Sequence, residues 1–302
     1  MLIDRFGRRI TNLRIAVTMK CNLRCFYCHR EGQASDKELS ELSVSEIAEI
    51  ARAFYDLGIK KVKITGGEPL LRKDICDIIS SMPPFQEISI TTNGTLLAEK
   101  AEELKESGLS RVNVSLDSLR PETYRRITGG DVEKVVDGIK MACEAGLTPV
   151  KVNMVVMKGI NDDQIEEMIE LVASLNRGGI RAILQLIEVL KLPGLEKYHF
   201  DISWIEREIA SKAEAVLLRG MHFRRQYAFE NASGNAVVEF VKPVDNSEFC
   251  AHCNRIRVTS DGRVKPCLLR EDNTVNVRGL KGEKLLEAIK KAVELREPYF
   301  KD

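Results

Sequence analysis

The sequence predicts an α/β protein whose strand-helix series makes an open doubly wound sheet or a full or partial barrel, taken here as a partial (β/α)6 TIM-like barrel, with a β-rich C-terminal extension that carries a second cysteine triplet. Three observations point there. Six short β-branched runs alternate with longer stretches of helical period before residue 190. Glycines sit where several of those helical stretches should stop. Polar and glycine-containing motifs follow the first three runs, and the carboxyl ends of parallel strands are where such architectures place their chemistry. Parallel strands are implied because each helical crossover returns the chain to the same end of the sheet.

The first strand is Leu13 to Thr18, after which Ser43 caps a helix whose apolar face carries Val44, Ile47, Ala48, Ala51 and Phe54, with Gly58 at its end. Strands follow at Val62 to Thr65 and Ile88 to Thr91, then a helix over Leu97 to Ser107 that stops at Gly108. Val112 to Leu116, a helix over Glu133 to Ala145 closed by Gly146, and Val150 to Val156 continue the alternation. Ile165, Met168, Ile169, Val172 and Leu175 form an apolar stripe before Gly178, and Ile180 to Glu188 is the sixth strand. Leu190 to His199, with Pro193 and Gly194, reads as a mobile loop. Beyond about residue 225 the pattern turns to β. Phe223 to Phe229 and Ala236 to Val241 read as strands, and Arg255 to Thr259 and Arg263 to Pro266 as a hairpin through Asp261-Gly262. A last amphipathic helix covers Lys284 to Leu295. This shift divides the chain into 1–225, the barrel, and 226–302, the extension.

The chain has 302 residues, 44% hydrophobic and 30% charged, enough apolar content to bury a core and to exclude general disorder. Forty-six Lys and Arg against 45 Asp and Glu leave a net charge of +1, so no global field favours nucleic acid or a membrane surface. No apolar run approaches a membrane span, and Met1 to Ile10 lacks the apolar segment of a signal peptide. The expected setting is the cytoplasm, with neither nucleic acid nor membrane as partner.

Six of the eight cysteines form two triplets, Cys21, Cys25 and Cys28 near one end and Cys250, Cys253 and Cys267 near the other. Cytosolic thiols stay reduced, so such spacing favours metal chemistry over disulfides. Soft thiolates select iron-sulfur clusters, zinc or copper(I). Three thiolates in a short loop leave one metal position open, whereas structural zinc closes four. His29 is the one nearby residue available to close the first set, and His222 or His252 would complete a zinc site at the second. Cys76 and Cys143 fall inside helices and read as small core residues. His199 and the lone Trp204 read as core or loop packing.

Cys-Asn-Leu-Arg-Cys-Phe-Tyr-Cys resembles the CxxxCxxC signature of radical S-adenosylmethionine enzymes, and Gly66-Gly67-Glu68-Pro69 resembles their GGEP element. Cys250-Ala-His-Cys253-Asn254-Arg255-Ile256-Arg257, followed by Asp261-Gly262 and Pro266-Cys267-Leu268, resembles the C-terminal region of the GTP 3′,8-cyclase family of molybdenum cofactor biosynthesis. The likeness extends over most of the chain, through Thr91-Thr92-Asn93-Gly94 and Asn113-Val-Ser115-Leu-Asp117-Ser118. It implies two 4Fe-4S clusters, one on each triplet, and radical conversion of GTP to 3′,8-cyclo-7,8-dihydro-GTP using S-adenosylmethionine. By the same resemblance Tyr27, Gly67 and Ser115 contact S-adenosylmethionine, with Asp117 beside them. Arg14, Lys63, Thr91, Lys151, Arg255 and Arg257 match positions that line the GTP site. A triphosphate needs several cations, and Arg adds a bidentate fork to its charge. Glycines near a ligand permit close backbone approach, and Glu68 offers an acceptor. The implied partners are GTP, an electron donor and the next enzyme of cofactor assembly, and the resemblance allows a homodimer.

Three departures stand out. Lys63 replaces a frequent Arg, Gln185 occupies a place where many members carry Arg, and the end Pro298-Tyr299-Phe300-Lys301-Asp302 lacks the family's Gly-Gly tail. Two other functions fit parts of the pattern: a two-cluster radical enzyme acting on another substrate such as a peptide, and a noncatalytic metal-cluster sensor that binds nucleic acid. The sensor would need a concentrated basic face, for which Arg219, Arg224 and Arg225 are the compact candidate; a solvated edge is the simpler reading of them.

Overall fold

The computed structural model describes residues 1–33, 40–244 and 247–299. The chain runs β1 (Asn12–Ala16), α1 (Val44–Asp56), β2 (Lys61–Thr65), α2 (Ile75–Ser80), β3 (Glu87–Thr92), α3 (Leu97–Glu106), β4 (Arg111–Ser115), α4 (Pro121–Thr128), α5 (Val132–Glu144), β5 (Val150–Val156), α6 (Ile165–Leu175) and β6 (Ala182–Glu188). It continues through α7 (Ser203–Lys212), β7 (Ala215–Leu218), β8 (Arg225–Asn231), β9 (Gly234–Val241), α8 (Ser247–Ala251), β10 (Arg255–Val258), β11 (Arg263–Lys265), β12 (Val275–Asn276) and α9 (Gly282–Glu294). Among the described residues the strands form one sheet in the order β12-β11-β10-β1-β2-β3-β4-β5-β6-β9-β8-β7. β1 to β6 are parallel neighbours in sequence order, the partial (β/α)6 barrel.

The β-rich C-terminal strands extend this same sheet at both edges. β10 pairs parallel with β1, and β9 pairs parallel with β6. The two flanks are then completed by antiparallel hairpins.

Period-two alternation explains the layering. Leu13, Ile15, Val62, Ile64, Val112, Val114, Val150 and Val152 are fully buried in the core beneath the helices. The intervening residues face the inside of the curved sheet, where Arg14 stands opposite Lys63 and Arg257. α1 begins with a capping box, Ser43 and Glu46 satisfying each other's backbone donors. It buries Ile47, Ile50, Ala51, Ala53 and Phe54, and α9 packs beside it.

Several elements were not expected. α4 reads as polar yet starts with Pro121 at its first turn and ends at a left-handed Gly129. α2, β7 and β12 are short, α7 spans ten residues, and β7 exposes all four of its residues. The strand expected from Phe223 starts at Arg225, because His222 and Phe223 have φ of 59° and 50° and form a turn. Trp204 is half exposed on α7, edge-on to Phe200, and not in the core. No helix among the described residues is long and apolar enough to cross a membrane. The expected tail departure falls partly on 300–302, outside the described residues.

Candidate functional site

Cys21, Cys25 and Cys28 lie in the loop beyond the carboxyl end of β1. The loop is tied to the end of α4 by Arg24 N–H to Thr128 O at 2.9 Å and Phe26 N–H to Ile127 O at 3.2 Å. All three thiols are free, Cys21 and Cys28 exposed and Cys25 half-buried. Leu23 N–H points at Cys21 Sγ and Arg30 N–H at Cys28 Sγ, each at 3.4 Å. Burial raises the Cys21 and Cys25 thiols, reinforced by the charges of Glu68 and Asp117 respectively. As they stand, no three His, Cys, Asp or Glu among the described residues converge on a single metal ion. The donor set fits an iron-sulfur cluster: three soft sulfurs in one loop, with N–H groups directed at two of them. Burial lowers the His29 imidazole against the opposing charge of Glu31, and its Nδ1 is buried without a partner.

Tyr27, Gly67 and Ser115 come together at the same carboxyl ends. Tyr27 Oη donates to Asp117 Oδ2 at 2.6 Å, and Asp117 Oδ1 accepts from Val155 N–H at 2.9 Å. Burial pushes the Asp117 carboxyl up to about 6. The glycines of the GGEP turn also make a close approach within the chain. A Cβ on Gly66 would meet Thr18 O at 2.2 Å, and one on Gly67 would meet Lys20 O at 2.3 Å. The close approach is therefore to the backbone leading into the cysteine loop, sealed by Gly67 N–H to Thr18 O and Glu68 N–H to Lys20 O. Glu68 is fully buried, and its oxygens accept from Leu70 N–H, Thr92 Oγ1 and Asn93 N–H. It locks the turns after β2 and β3 to one another.

Arg14, Lys63, Thr91, Lys151, Arg255 and Arg257 share the inner face. Register sets Arg14 between Arg257 and Lys63, and Asn113 between Thr91 and Lys151. Arg111 and Arg224 join them, residues not among the expected substrate contacts. Seven cations therefore meet three carboxylates: Glu31 pairs Arg14 at 3.2 Å, Glu87 pairs Arg111 at 2.7 Å, and Glu239 pairs Lys151 at 2.6 Å and Arg224 at 2.7 Å. These cations hold all three carboxyls at about 2 against the raising effect of burial. Burial, then Arg111 and Arg14, pushes Lys63 well below its usual value. Arg14 Nε, Thr91 Oγ1, Asn153 Oδ1 and Arg257 Nε are buried with no hydrogen-bond partner. Buried donors and acceptors are normally satisfied, and the Arg14 and Arg257 Nε–H groups left over are donors suited to an anion. The period-two rule applied outward from Asn113 would have found Arg111. Glu239 and Arg224 carry no such local signal.

Cys250 lies on α8, Cys253 just before β10, and Cys267 just after the antiparallel β11. Because β10 runs parallel to β1, this triplet sits at the amino end of the parallel strands, opposite the first. A five-residue strand such as β1 spans about 16 Å, so the cations stand between the two thiol sets. Arg296, 3% exposed, donates to Cys253 O at 2.7 Å, Arg255 O at 2.5 Å and Asp4 Oδ2 at 2.8 Å. Arg8 bonds the same Asp4 and reaches Cys250 O at 3.0 Å. Burial raises the Cys253 thiol, but Arg296 and Arg255 outweigh it and hold it low. His222 Nδ1 engages Phe249 O at 3.1 Å and its ring lies 3.7 Å from that of Phe249. His252 Nδ1 lies 3.0 Å from Glu248 O.

A surface hollow of about 400 Å³ between α6, α7 and β8 contains none of these groups. Its rim of Asp162, Asp163, Glu166 and Glu208 has the wrong sign for an anion, so the chemistry is assigned to the lumen.

A partial barrel with a three-thiol loop at its carboxyl end and a GGEP turn beside it defines a radical S-adenosylmethionine protein. The radical SAM superfamily model matches residues 15–172, and the Molybdenum Cofactor Synthesis C model matches 183–302. A relative from Archaeoglobus fulgidus, described as a probable GTP 3′,8-cyclase, is 59% identical over the full length of both chains. Relatives with the same description are 50% identical in Methanocella arvoryzae, over 100% of this chain and 95% of that one, and 49% in Methanocaldococcus jannaschii, over 99% of each. The chain belongs to this GTP 3′,8-cyclase family of the radical SAM superfamily. Solved structures share the fold: Streptococcus suis SuiB bound to S-adenosylmethionine has a TM-score of 0.64 at 17% identity, covering 93% of this chain and 66% of that one. Tagged anSMEcpe with bound AdoMet gives 0.63 at 17%, covering 93% and 81%.

Proposed function

We propose that this protein is a GTP 3′,8-cyclase that converts GTP to 3′,8-cyclo-7,8-dihydro-GTP, the first step of molybdenum cofactor biosynthesis. The observation that carries the reading is the lumen itself, seven cations and four unsatisfied buried polar atoms between two thiol triplets. One cluster on Cys21, Cys25 and Cys28 and a second on Cys250, Cys253 and Cys267 agree with the donor sets. When bound, the first cluster and S-adenosylmethionine supply one-electron reduction and hydrogen-atom abstraction. The chain's own residues bind and orient. Tyr27, fixed by Asp117, and the backbone at Gly67 and Ser115 hold S-adenosylmethionine at the strand ends. Arg14, Lys63, Thr91, Lys151, Arg255 and Arg257 hold GTP below it, placing the ribose toward the first triplet and the base toward the second. Such fixation converts an encounter into an oriented reaction and excludes water from it.

The division at 225/226 falls at the start of β8, and the segment after it adds β8 and β9 to the β6 edge and carries the second triplet at the β1 edge. The electron donor and the enzyme that consumes the product complete the partner set. The test is anaerobic turnover with reductant. S-adenosylmethionine should be consumed in a GTP-dependent way with formation of the cyclised nucleotide. GTP-independent cleavage, or turnover only with a peptide, would assign the fold to another radical reaction.

A further inference from the structure

Arg224 stands in the lumen although its neighbour Arg225 is exposed. This corrects the expectation of a solvated edge. The left-handed turn at His222 and Phe223 brings the Arg224 side chain inward to 12% exposure, where it pairs with Glu239 Oε1 at 2.7 Å. Glu239 is fully buried and also accepts from Lys151 Nζ at 2.6 Å, Gln185 Nε2 at 2.8 Å and Gln226 Nε2 at 2.5 Å. These four contacts match the roughly four lone-pair directions of a carboxylate. They draw donors from β5, β6, β8 and the turn before β8 onto one side chain of β9.

Among the described residues cations outnumber carboxylates here. Two cations share one carboxylate, Gln185 and Gln226 add none, and Arg14 and Arg111 face Arg224 from the opposite strands. Excess buried charge is costly unless a counter-ion completes it. We infer that Arg224 binds the phosphate chain of the nucleotide together with Lys151, and that Glu239 positions both head groups for it. Arg224 supplies a forked cation on the side of the lumen where β6 contributes only the amide of Gln185. The inference rests on the reading that the lumen receives a nucleoside triphosphate.

The test is equilibrium binding of GTP, guanosine and inorganic tripolyphosphate to the reconstituted chain under anaerobic conditions. Arg224→Gln leaves Glu239 paired with Lys151, Gln185 and Gln226. It should weaken GTP and tripolyphosphate about ten- to a hundredfold and leave guanosine unchanged. Arg224→Lys should recover part of the loss. Glu239→Asp keeps the charge but shortens the reach, and should weaken both anions without altering guanosine, a pattern a merely structural role would not produce. Wild-type affinity of a folded Arg224→Gln protein for both anions overturns the assignment. Should that variant not fold, Arg224→Lys decides: its lost fork should weaken tripolyphosphate several-fold, and unchanged affinity overturns it. A wild-type chain that binds neither GTP nor tripolyphosphate fails the nucleotide reading instead, so the two failures are distinct.

Discussion

The two cysteine triplets present the same three sulfurs in opposite electrostatic settings. Around the first, burial and the carboxylates Asp117 and Glu68 push the Cys21 and Cys25 thiols up. Around the second, burial acts in the same direction on Cys253 but arginines outweigh it. Their anchors differ as well. The first loop hangs on backbone bonds to α4 and to the turn after β2, with Glu68 as the buried tie. The second hangs on Arg8 and Arg296, which converge on Asp4 across most of the chain length. Cysteine spacing therefore specifies a donor set, while the surroundings specify its charge. The cations gather at the second triplet and along the lumen, where an anionic substrate would lie.

Cysteine replacement is the strongest way to break this comparison. Cys25→Ser and Cys253→Ser should each lower the iron content of the reconstituted chain from about eight to about four per chain. An unchanged count for either variant removes its triplet from cluster binding.

Arg296→Met tests the difference in anchoring. It leaves Asp4 with Arg8 alone and removes both carbonyl contacts around Cys253. Breaking a buried pair costs on the order of 3–5 kcal/mol, read by denaturant unfolding, and the iron of the second triplet should be lost before that of the first. Equal loss from both would show that the regions are not independently anchored.

Acid gives the smallest effect, and its sign differs between the regions. Burial raises Asp4, but Arg8 and Arg296 together hold it below its ordinary value of 3.8. Its contribution is therefore full above that value and is lost as pH falls through the lower folded one. Glu68 is raised by burial above its ordinary 4.5, so protonating it on the way down relieves a cost. As pH falls below 3.8, hydrogen-exchange protection should fall around Cys250 and Cys253 before it falls around the GGEP turn. The reverse order would mean that the Asp4 pairing does not hold the second region.

The alternation of strands and helices was legible because each unit is local: Val62 and Ile64 alternate within five residues, and Ser43 and Glu46 cap α1 within four. α4 escaped notice because its sequence is polar, with Tyr124, Ile127 and Thr128 as its buried positions. Arg224 was misplaced because its neighbours Arg219 and Arg225 suggest a surface run, and only the turn at His222 separates their directions. Asp4 and Arg296 lie 292 positions apart, so no local pattern joins them.

The sequence by itself determined the two thiol donor sets, the βα series and the polar residues at alternate strand positions, since all of these follow from spacing within a few residues. The tertiary structure decided where they stand relative to one another. Parallel pairing of β10 with β1 puts the triplets at opposite ends of the lumen, and pairing of β9 with β6 brings Glu239 beside Lys151 and Gln185. Those contacts depend on strands distant in the chain, whose order and register are set by burial of one shared apolar face.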